Sequence, residues 1–152
     1  MGPRATPDAG VVMIFRATAN LPGSEPSDFI RRVIAGPGDV VELREGRVRV
    51  NGVEATYERK EGAIWTETLP GEHKVQYQVA LIPPLESTLG PVRVPPDSVF
   101  MAADERQKDT SGVPSGVFSL KSLLARARRF CFPIFAADAT YSNLGCLLQT
   151  AF

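Results

Sequence analysis

Histidine, cysteine and long apolar runs are scarce in this sequence of 152 residues, and each scarcity excludes a class of protein. The single histidine, His73, and the two cysteines, Cys131 and Cys146, match no spacing of zinc ligands. No run approaches the ~18 consecutive apolar residues of a membrane-spanning helix, and the first residues lack the apolar core of a secretory signal. We expect no zinc site, no cofactor and no membrane span here, and the spacing leaves the pairing of the cysteines open.

The chain also has no net charge, because 17 Lys and Arg residues balance 17 Asp and Glu residues. A balanced charge disfavours nucleic acid as a partner, since such partners select a strongly basic face. The apolar content of 43% and charged content of 22% are those of an ordinary globular domain. Thirteen Gly and thirteen Pro favour short elements joined by turns over long helices. Composition leaves the oligomeric state open.

A hairpin is the clearest local signal in the sequence. Residues 40–43 and 47–50 form two short strand patterns, and the pair Asn51-Gly52, which tolerates positive φ, closes the second one. Apolar and polar residues alternate over residues 72–81 and predict another strand. The remaining runs that predict strands are residues 10–15, 29–35, 91–94 and 99–102.

One segment has helical spacing. Residues 119–128 begin with a serine that can cap a helix, and their leucines recur at helical intervals. We favour a single turn there, leading into a last strand over residues 128–135. The sequence as a whole predicts a mainly β fold, an antiparallel β-sheet or partly open barrel domain with at most one short helix.

Three blocks of sequence, in order, carry a more specific signal. Residues 10–16 read GVVMIFR, residues 28–39 read DFIRRVIAGPGD, and a V-E-L-R-x-G-x-V-x-V-N-G hairpin follows them and ends at Gly52. These blocks resemble GDVVVFR and DYIKRVIGLPGD of bacterial type I signal peptidases, the membrane-bound serine proteases that remove signal peptides. Val11 stands where the family has Asp.

The third block lies in the second half of the chain. Residues 94–100 (VPPDSVF) and 103–116 (ADERQKDTSGVPSG) resemble the family's VPPGHYF and GDNRDNSxDSRxWG, and residues 124–127 (LARA) resemble its VGRA. The resemblance implies a linker remnant at residues 1–9, a signal-peptidase-like β domain at residues 10–135 and a tail at residues 136–152.

The chemistry of that family is a Ser nucleophile deprotonated by a neutral Lys, which loses its proton readily when it is desolvated. The nucleophile lies upstream of the GDVVVF strand, so the resemblance implies that this chain lacks it. The Lys corresponds to Arg31, and a guanidinium cannot be deprotonated in a protein at working pH. The resemblance therefore implies an inactive dyad.

The residues around that base have changed as well. Asp109 replaces the Ser that supports the Lys, Ser111 replaces an Asp and Val113 an Arg, whereas Asp104 and Arg106 keep the family's residues. An acid opposite a Lys that has become Arg suggests a replacement ion pair. We predict that Arg31 and Asp109 lie within salt-bridge reach; two independent surface substitutions are the alternative.

Asp28, Phe29 and Ile30 match the family's substrate-groove strand, where an extended peptide binds by main-chain pairing. Ile30 falls on the wall of a pocket for small side chains. Because strand pairing needs only backbone groups, a groove for an extended peptide or preprotein can outlast the chemistry. The alternative is that Phe29 and Ile30 are core residues.

The aromatic segment from Phe130 to Phe135 follows Arg126, Arg128 and Arg129. In the family this region touches the bilayer, and basic residues beside aromatic ones suit an anionic membrane surface. A buried last strand with a solvated basic flank is the favoured alternative.

Two further clusters receive no chemistry. Ser111, Ser115 and His73 lack the elbow motif of a serine hydrolase. The acids between residues 104 and 109 lack the spacing of a calcium loop.

Three hypotheses for the function remain open. The first is a catalytically inactive signal-peptidase-like domain that binds extended peptides or a partner protein. The second is a fragment of an active serine endopeptidase whose nucleophile comes from a missing upstream segment, and the third is a degenerate product without function. The resemblance implies the extracytoplasmic face of the bacterial inner membrane, although the chain itself leaves its location open.

Overall fold

The computed structural model describes residues 4–127 and 149–151, and within them the fold is built from strands and one 3₁₀ turn. The strands pair antiparallel in three sheets that do not close into a barrel, which confirms the predicted fold class. No helix in these residues is long and apolar enough to cross a membrane. The strands are β1 (Val12–Thr18), β2 (Pro26–Ala35), β3 (Val40–Arg44), β4 (Arg47–Val50), β5 (Val53–Glu54), β6 (Thr56–Glu61), β7 (Ile64–Thr68), β8 (Gln76–Ala80), β9 (Leu89–Arg93), β10 (Ser98–Ala102), β11 (Gly116–Ser119), β12 (Leu123–Ala127) and β13 (Gln149–Ala151).

The largest sheet has six strands in the order β11-β10-β2-β1-β12-β13. A four-stranded sheet has the order β5-β4-β3-β9, and a three-stranded sheet has the order β6-β7-β8. Strands β2 and β1 pair along the whole of β1, from Val12 opposite Arg32 to Thr18 opposite Pro26. This long pair carries Asp28, Phe29, Ile30 and Arg31, the residues that the sequence analysis singled out.

Two apolar cores lie on the two sides of the six-stranded sheet, because neighbouring side chains on a strand point to opposite faces. We call the core of Met13, Phe15, Val33, Met101, Val113 and Leu123 the second core. The other core joins the large sheet to the two smaller ones, and its members include Ile34, Val41, Leu43, Val48, Tyr77, Val79 and Phe100.

The predicted hairpin is confirmed as β3 and β4, with Arg44 opposite Arg47. Asn51 and Gly52 form the next two-residue turn, with φ of 51° and 82°. Positive φ at both positions gives the turn whose twist matches that of the flanking strands. The strand predicted over residues 72–81 is confirmed in part, as β8 (Gln76–Ala80), where Tyr77 and Val79 are buried and Gln76 and Gln78 are exposed.

Several elements differ from the prediction, and strands β5, β7 and β11 lie in segments where no strand was predicted. The favoured single turn exists as a 3₁₀ turn (Leu120–Ser122), capped by Ser119, but the strand after it begins at Leu123 rather than at residue 128. Strand β6 escaped the sequence analysis because almost all of its side chains are exposed, so no apolar alternation marks it.

Several sequence-based predictions fall on residues outside the described part of the chain. They are the last strand over 128–135, the membrane contact from Phe130 to Phe135, the pairing of Cys131 with Cys146, and residues 136–148 of the predicted tail. The last residues of that tail, Gln149–Ala151, form β13 beside β12.

Candidate functional site

Strand β2 is paired unevenly on its two sides. Strand β1 covers it from Pro26 to Arg32, whereas β10 pairs only with Arg32, Val33 and Ala35. Residues 26–31 therefore have one edge that no strand among the described residues covers. An uncovered edge offers a row of main-chain donors and acceptors for another extended chain.

The direction of the main-chain groups along this edge follows from one bonded pair. The Val33 N–H donates to the Val11 carbonyl at 2.8 Å, so Val33 faces β1. The facing direction alternates along a strand, and the register of β2 with β1 contains no bulge. Asp28 and Ile30 thus turn their N–H and C=O groups away from β1. We call these groups the free edge.

The side chains of the predicted groove residues have different surroundings. The Asp28 carboxylate accepts from Arg16 Nε at 2.9 Å in an exposed ion pair. Phe29 packs against Phe15 with 6.0 Å between ring centroids, on the side of the second core. Ile30 lies on the other face of the sheet, 41% exposed. Phe29 is thus a core-side residue, and Ile30 has room for a ligand.

Arg31 is partly buried, and its guanidinium reaches the free edge. Nη1 donates to the Ile30 carbonyl at 2.8 Å, and Nη2 donates to the Val113 carbonyl at 2.9 Å and to Ser111 Oγ at 3.3 Å. Burial lowers the pKa of Arg31, while the charges of Asp109 and Glu86 raise it. A guanidinium remains protonated at neutral pH even so.

The predicted salt bridge between Arg31 and Asp109, both in the described part of the chain, is not formed within 4.0 Å. The two residues are linked through Ser111, whose N–H donates to Asp109 Oδ1 at 2.8 Å and whose hydroxyl accepts from Arg31. The prediction of a direct ion pair is wrong because the guanidinium is aimed at two main-chain carbonyls.

Glu86 joins this cluster, and no sequence pattern pointed to it. Its N–H donates to the Arg106 carbonyl at 3.1 Å, and Ser115 Oγ donates to Glu86 Oε1 at 2.9 Å. Burial raises the pKa of the Glu86 carboxyl, and the charge of Asp109 adds to that rise. The hydrogen bond from Ser115 and the charges of Arg106 and Arg31 lower it.

Three buried atoms of the cluster lack a hydrogen-bond partner among the described residues: Arg31 Nε, Glu86 Oε2 and Asp109 Oδ2. We call Arg31, Glu86, Asp109, Ser111 and Ser115 the charged cluster.

Two ion pairs hold the loop between β10 and β11, one to β2 and one to β7. Arg32 makes a bidentate pair with Asp104, at 2.7 and 2.6 Å. Arg106 and Glu67 make a second bidentate pair, at 2.9 and 2.8 Å, in which both side chains are fully buried. Asp104 and Arg106 were visible in the sequence as residues that match the family motif. Glu67 was not, because its partner is distant along the chain.

His73, Ser111 and Ser115, to which the sequence assigned no chemistry, do not form a hydrogen-bonded triad in the described part of the chain. His73 is exposed in the turn between β7 and β8, and no hydrogen bond joins it to Ser111 or Ser115 within residues 4–127. Ser115 is buried against Glu86, which keeps its hydroxyl away from any substrate. Across the described residues, no three His, Cys, Asp or Glu side chains gather as metal ligands.

An antiparallel β domain with an uncovered strand edge and a buried charged cluster beside it is the class of molecule that these features define. Residues 4–132 match the family of signal peptidases, peptidase S26. The match covers most of the chain, so the chain belongs to this family.

Two curated relatives are similar to most of the chain. "Probable signal peptidase I-2" of Synechocystis sp. is 28% identical over 122 residues, which are 80% of this chain and 46% of that protein. "Thylakoidal processing peptidase 1, chloroplastic" of Arabidopsis thaliana is 25% identical over 144 residues, which are 90% of this chain and 36% of that protein. The chain thus spans less than half the length of each relative. No solved structure gives a significant match.

Proposed function

We propose that this signal-peptidase-like domain binds extended peptides along the free edge and does not hydrolyse them through a Ser/Lys dyad. The observation that carries the proposal is the free edge itself, at Asp28 and Ile30, with a guanidinium beside it at Arg31. Strand addition needs only main-chain groups for its affinity, so it tolerates changes of the surrounding side chains.

Arg31 supports the catalytic half of the proposal. A Ser/Lys dyad needs an amine that is neutral at working pH, and a guanidinium stays charged there even when burial lowers its pKa. Its Nη1 and Nη2 groups donate to two carbonyls and a hydroxyl. Arg31 therefore lacks the lone pair that a general base offers to a nucleophile.

The alternative is that the chain is part of an active serine endopeptidase whose nucleophile lies on another segment. The partial coverage of both relatives leaves room for such a segment, but a serine brought to Arg31 would still lack a base. The proposal extends to location: the resemblance favours the extracytoplasmic face of a membrane, where extended preprotein segments emerge.

The binding half is tested with a short fluorescein-labelled peptide that has alanine at alternate positions, titrated with the full chain and followed by fluorescence anisotropy. Ile30→Pro removes a main-chain donor and places a ring on the free edge. Because this donor faces away from β1, the pairing with β1 is kept. Ile30→Ala is the matched control, because it shortens the side chain and keeps the N–H. We expect Ile30→Pro to bind about tenfold more weakly than Ile30→Ala.

Equal affinities for the two Ile30 variants, both folded by circular dichroism, would place the peptide away from the free edge and contradict the proposal. No binding by the parent chain would contradict it as well.

The catalytic half is tested with a preprotein that carries a small-x-small cleavage site, incubated with the purified chain and with Arg31→Ala. We expect no product above the buffer control. Product from the parent that disappears in Arg31→Ala would overturn the inactive assignment, whereas equal product from both would indicate a host peptidase in the preparation.

A further inference from the structure

The hydrogen bond from Arg31 to the Ile30 carbonyl falls on the free edge, and this inference rests on the peptide binding proposed above. Ile30 C=O is one of the acceptors that an added strand would use, and Arg31 Nη1 occupies it at 2.8 Å. We infer that Arg31 is a cap on the free edge, which sets where a docked peptide stops pairing. Arg31 in this role determines specificity and has no catalytic part.

The cap is held in place by more than the Ile30 carbonyl. The second guanidinium nitrogen, Nη2, donates to the carbonyl of Val113, a residue that is 4% exposed in the second core. It also donates to Ser111, whose N–H in turn donates to Asp109. Because these partners belong to a packed loop, the guanidinium cannot leave the free edge without losing several charge-assisted hydrogen bonds.

The charges behind Arg31 strengthen the cap. Burial lowers the pKa of Arg31, and the charges of Asp109 and Glu86 both favour its charged form. A peptide is uncharged along its main chain, so it cannot replace the guanidinium as the counter-charge of these acids. A peptide amide that displaced the guanidinium from the Ile30 carbonyl would therefore cause a net electrostatic loss.

The other end of the free edge is closed by Pro26, which has no N–H to donate. Between Pro26 and the cap, the groups that remain for a peptide are the C=O of Pro26, the N–H and C=O of Asp28 and the N–H of Ile30. The structure thus predicts a short docking window with fewer free acceptors than the length of β2 suggests. Its occupant is a peptide that pairs over a few residues.

A peptide whose amides are replaced one at a time by esters tests the cap, because each ester removes one main-chain donor of the ligand. The probe is the alanine-alternating peptide, titrated against the parent chain and against Arg31→Met. In the parent, the amide that would face Ile30 C=O meets the guanidinium already bonded there. We therefore expect its ester to bind with unchanged affinity. In Arg31→Met the same ester binds about three- to tenfold more weakly than the amide.

In Arg31→Met, we thus expect one more position of the peptide at which an ester weakens binding than in the parent. We also expect Arg31→Met to bind the unmodified peptide several-fold more tightly than the parent does. Arg93→Met is the matched control, because Arg93 Nη1 makes the same kind of bond, 2.8 Å to the Gly38 carbonyl, on another sheet. It should leave the ester profile unchanged. Arg31→Met with Asp109→Asn serves if the single variant unfolds, since it also removes one of the two acids whose charges act on Arg31.

Failure of the cap and failure of the binding proposal give different results. If Ile30→Pro weakens binding but the ester profiles of the parent and Arg31→Met are the same, the cap is overturned and the binding stands. If an ester opposite Ile30 C=O already weakens binding to the parent, the guanidinium does not hold that carbonyl and the cap is again overturned. If the peptide binds neither to the parent chain nor to Arg31→Met, the binding proposal and the cap are both contradicted.

Discussion

Glu86 shows how the surroundings of one residue set its charge. It is 6% exposed, and one of its carboxylate oxygens accepts from Ser115 while the other lacks a partner among the described residues. Arg31 and Arg106 face it as cations, Asp109 faces it as an acid, and burial raises its pKa despite the cations. A buried acid with a raised pKa favours its neutral form.

The raised pKa of Glu86 predicts a pH-dependent stability. Between the usual pKa of glutamate, about 4.3, and the higher folded value, the folded chain binds more protons than the unfolded chain. The contribution of Glu86 to stability is therefore most favourable at low pH and falls as the pH rises through this window. Glu86→Gln keeps a neutral side chain throughout, so we expect its stability relative to the parent to increase with pH in urea titrations.

Glu58→Gln is the matched control, because the Glu58 side chain is 75% exposed and pairs with Lys60 at the surface. We expect the difference from the parent to change more with pH for Glu86→Gln than for Glu58→Gln. A flat difference for Glu86→Gln would mean that Glu86 titrates in the folded chain as it does in the unfolded one.

At the scale of elements, the two tight turns around β4 have the same backbone geometry and different neighbours. Gly46 and Gly52 have φ of 74° and 82°, in the region that favours glycine. A Cβ on Gly52 would meet nothing within 4 Å, whereas one on Gly46 would lie 3.0 Å from the Cβ of Arg106. Gly46 therefore both allows the tight turn and packs closely against Arg106.

We predict that Gly52→Ala lowers the free energy of unfolding by about 1–2 kcal/mol, the cost of an L-residue at positive φ. Gly46→Ala should lower it by about 1–3 kcal/mol more, since its methyl group also presses on the buried Arg106. The measurement is chemical denaturation of the two variants beside the parent. Equal losses would show that Arg106 moves aside without cost.

At the scale of the whole molecule, Arg106 connects the three sheets. Its guanidinium donates to Ala103 after β10, to Gly46 between β3 and β4, and to Glu67 in β7. Tyr57 and Tyr77 also donate to the Glu67 carboxylate. This network places charged atoms at the junction of three sheets, where every partner is needed to offset the cost of burying them.

We predict that Arg106→Met lowers the free energy of unfolding by about 3–5 kcal/mol, because it leaves Glu67 buried without its counter-charge. Trp65, the single tryptophan, lies in β7 and reports on the three-stranded sheet. In the parent, its fluorescence and the far-ultraviolet circular dichroism should change together on denaturation, whereas in Arg106→Met the fluorescence should change first. Lys60→Met, which breaks an exposed pair in the same sheet, is the control and should keep the transitions together.

The parts of the fold that the sequence predicted are those with local causes. The β3–β4 hairpin follows from its turn residues, and β8 follows from its alternation. Strand β6 could not be predicted, because its exposed side chains carry no periodic signal and only β7 defines it. Within the site, the motif match located Arg31 and Asp109, but the wrong direct ion pair shows that a position in a motif does not fix a contact.

The sequence by itself determined the family, the β class and the presence of Arg31 at the position of the base, because motif order, residue period and side-chain chemistry are properties of the chain. Only the tertiary structure decided that β10 stops short, so that no strand in the described part of the chain covers Asp28 and Ile30. It also decided that Glu86 joins Arg31 and that the guanidinium lies on the Ile30 carbonyl. These features depend on segments far apart in the sequence, which meet only when the sheets pack together.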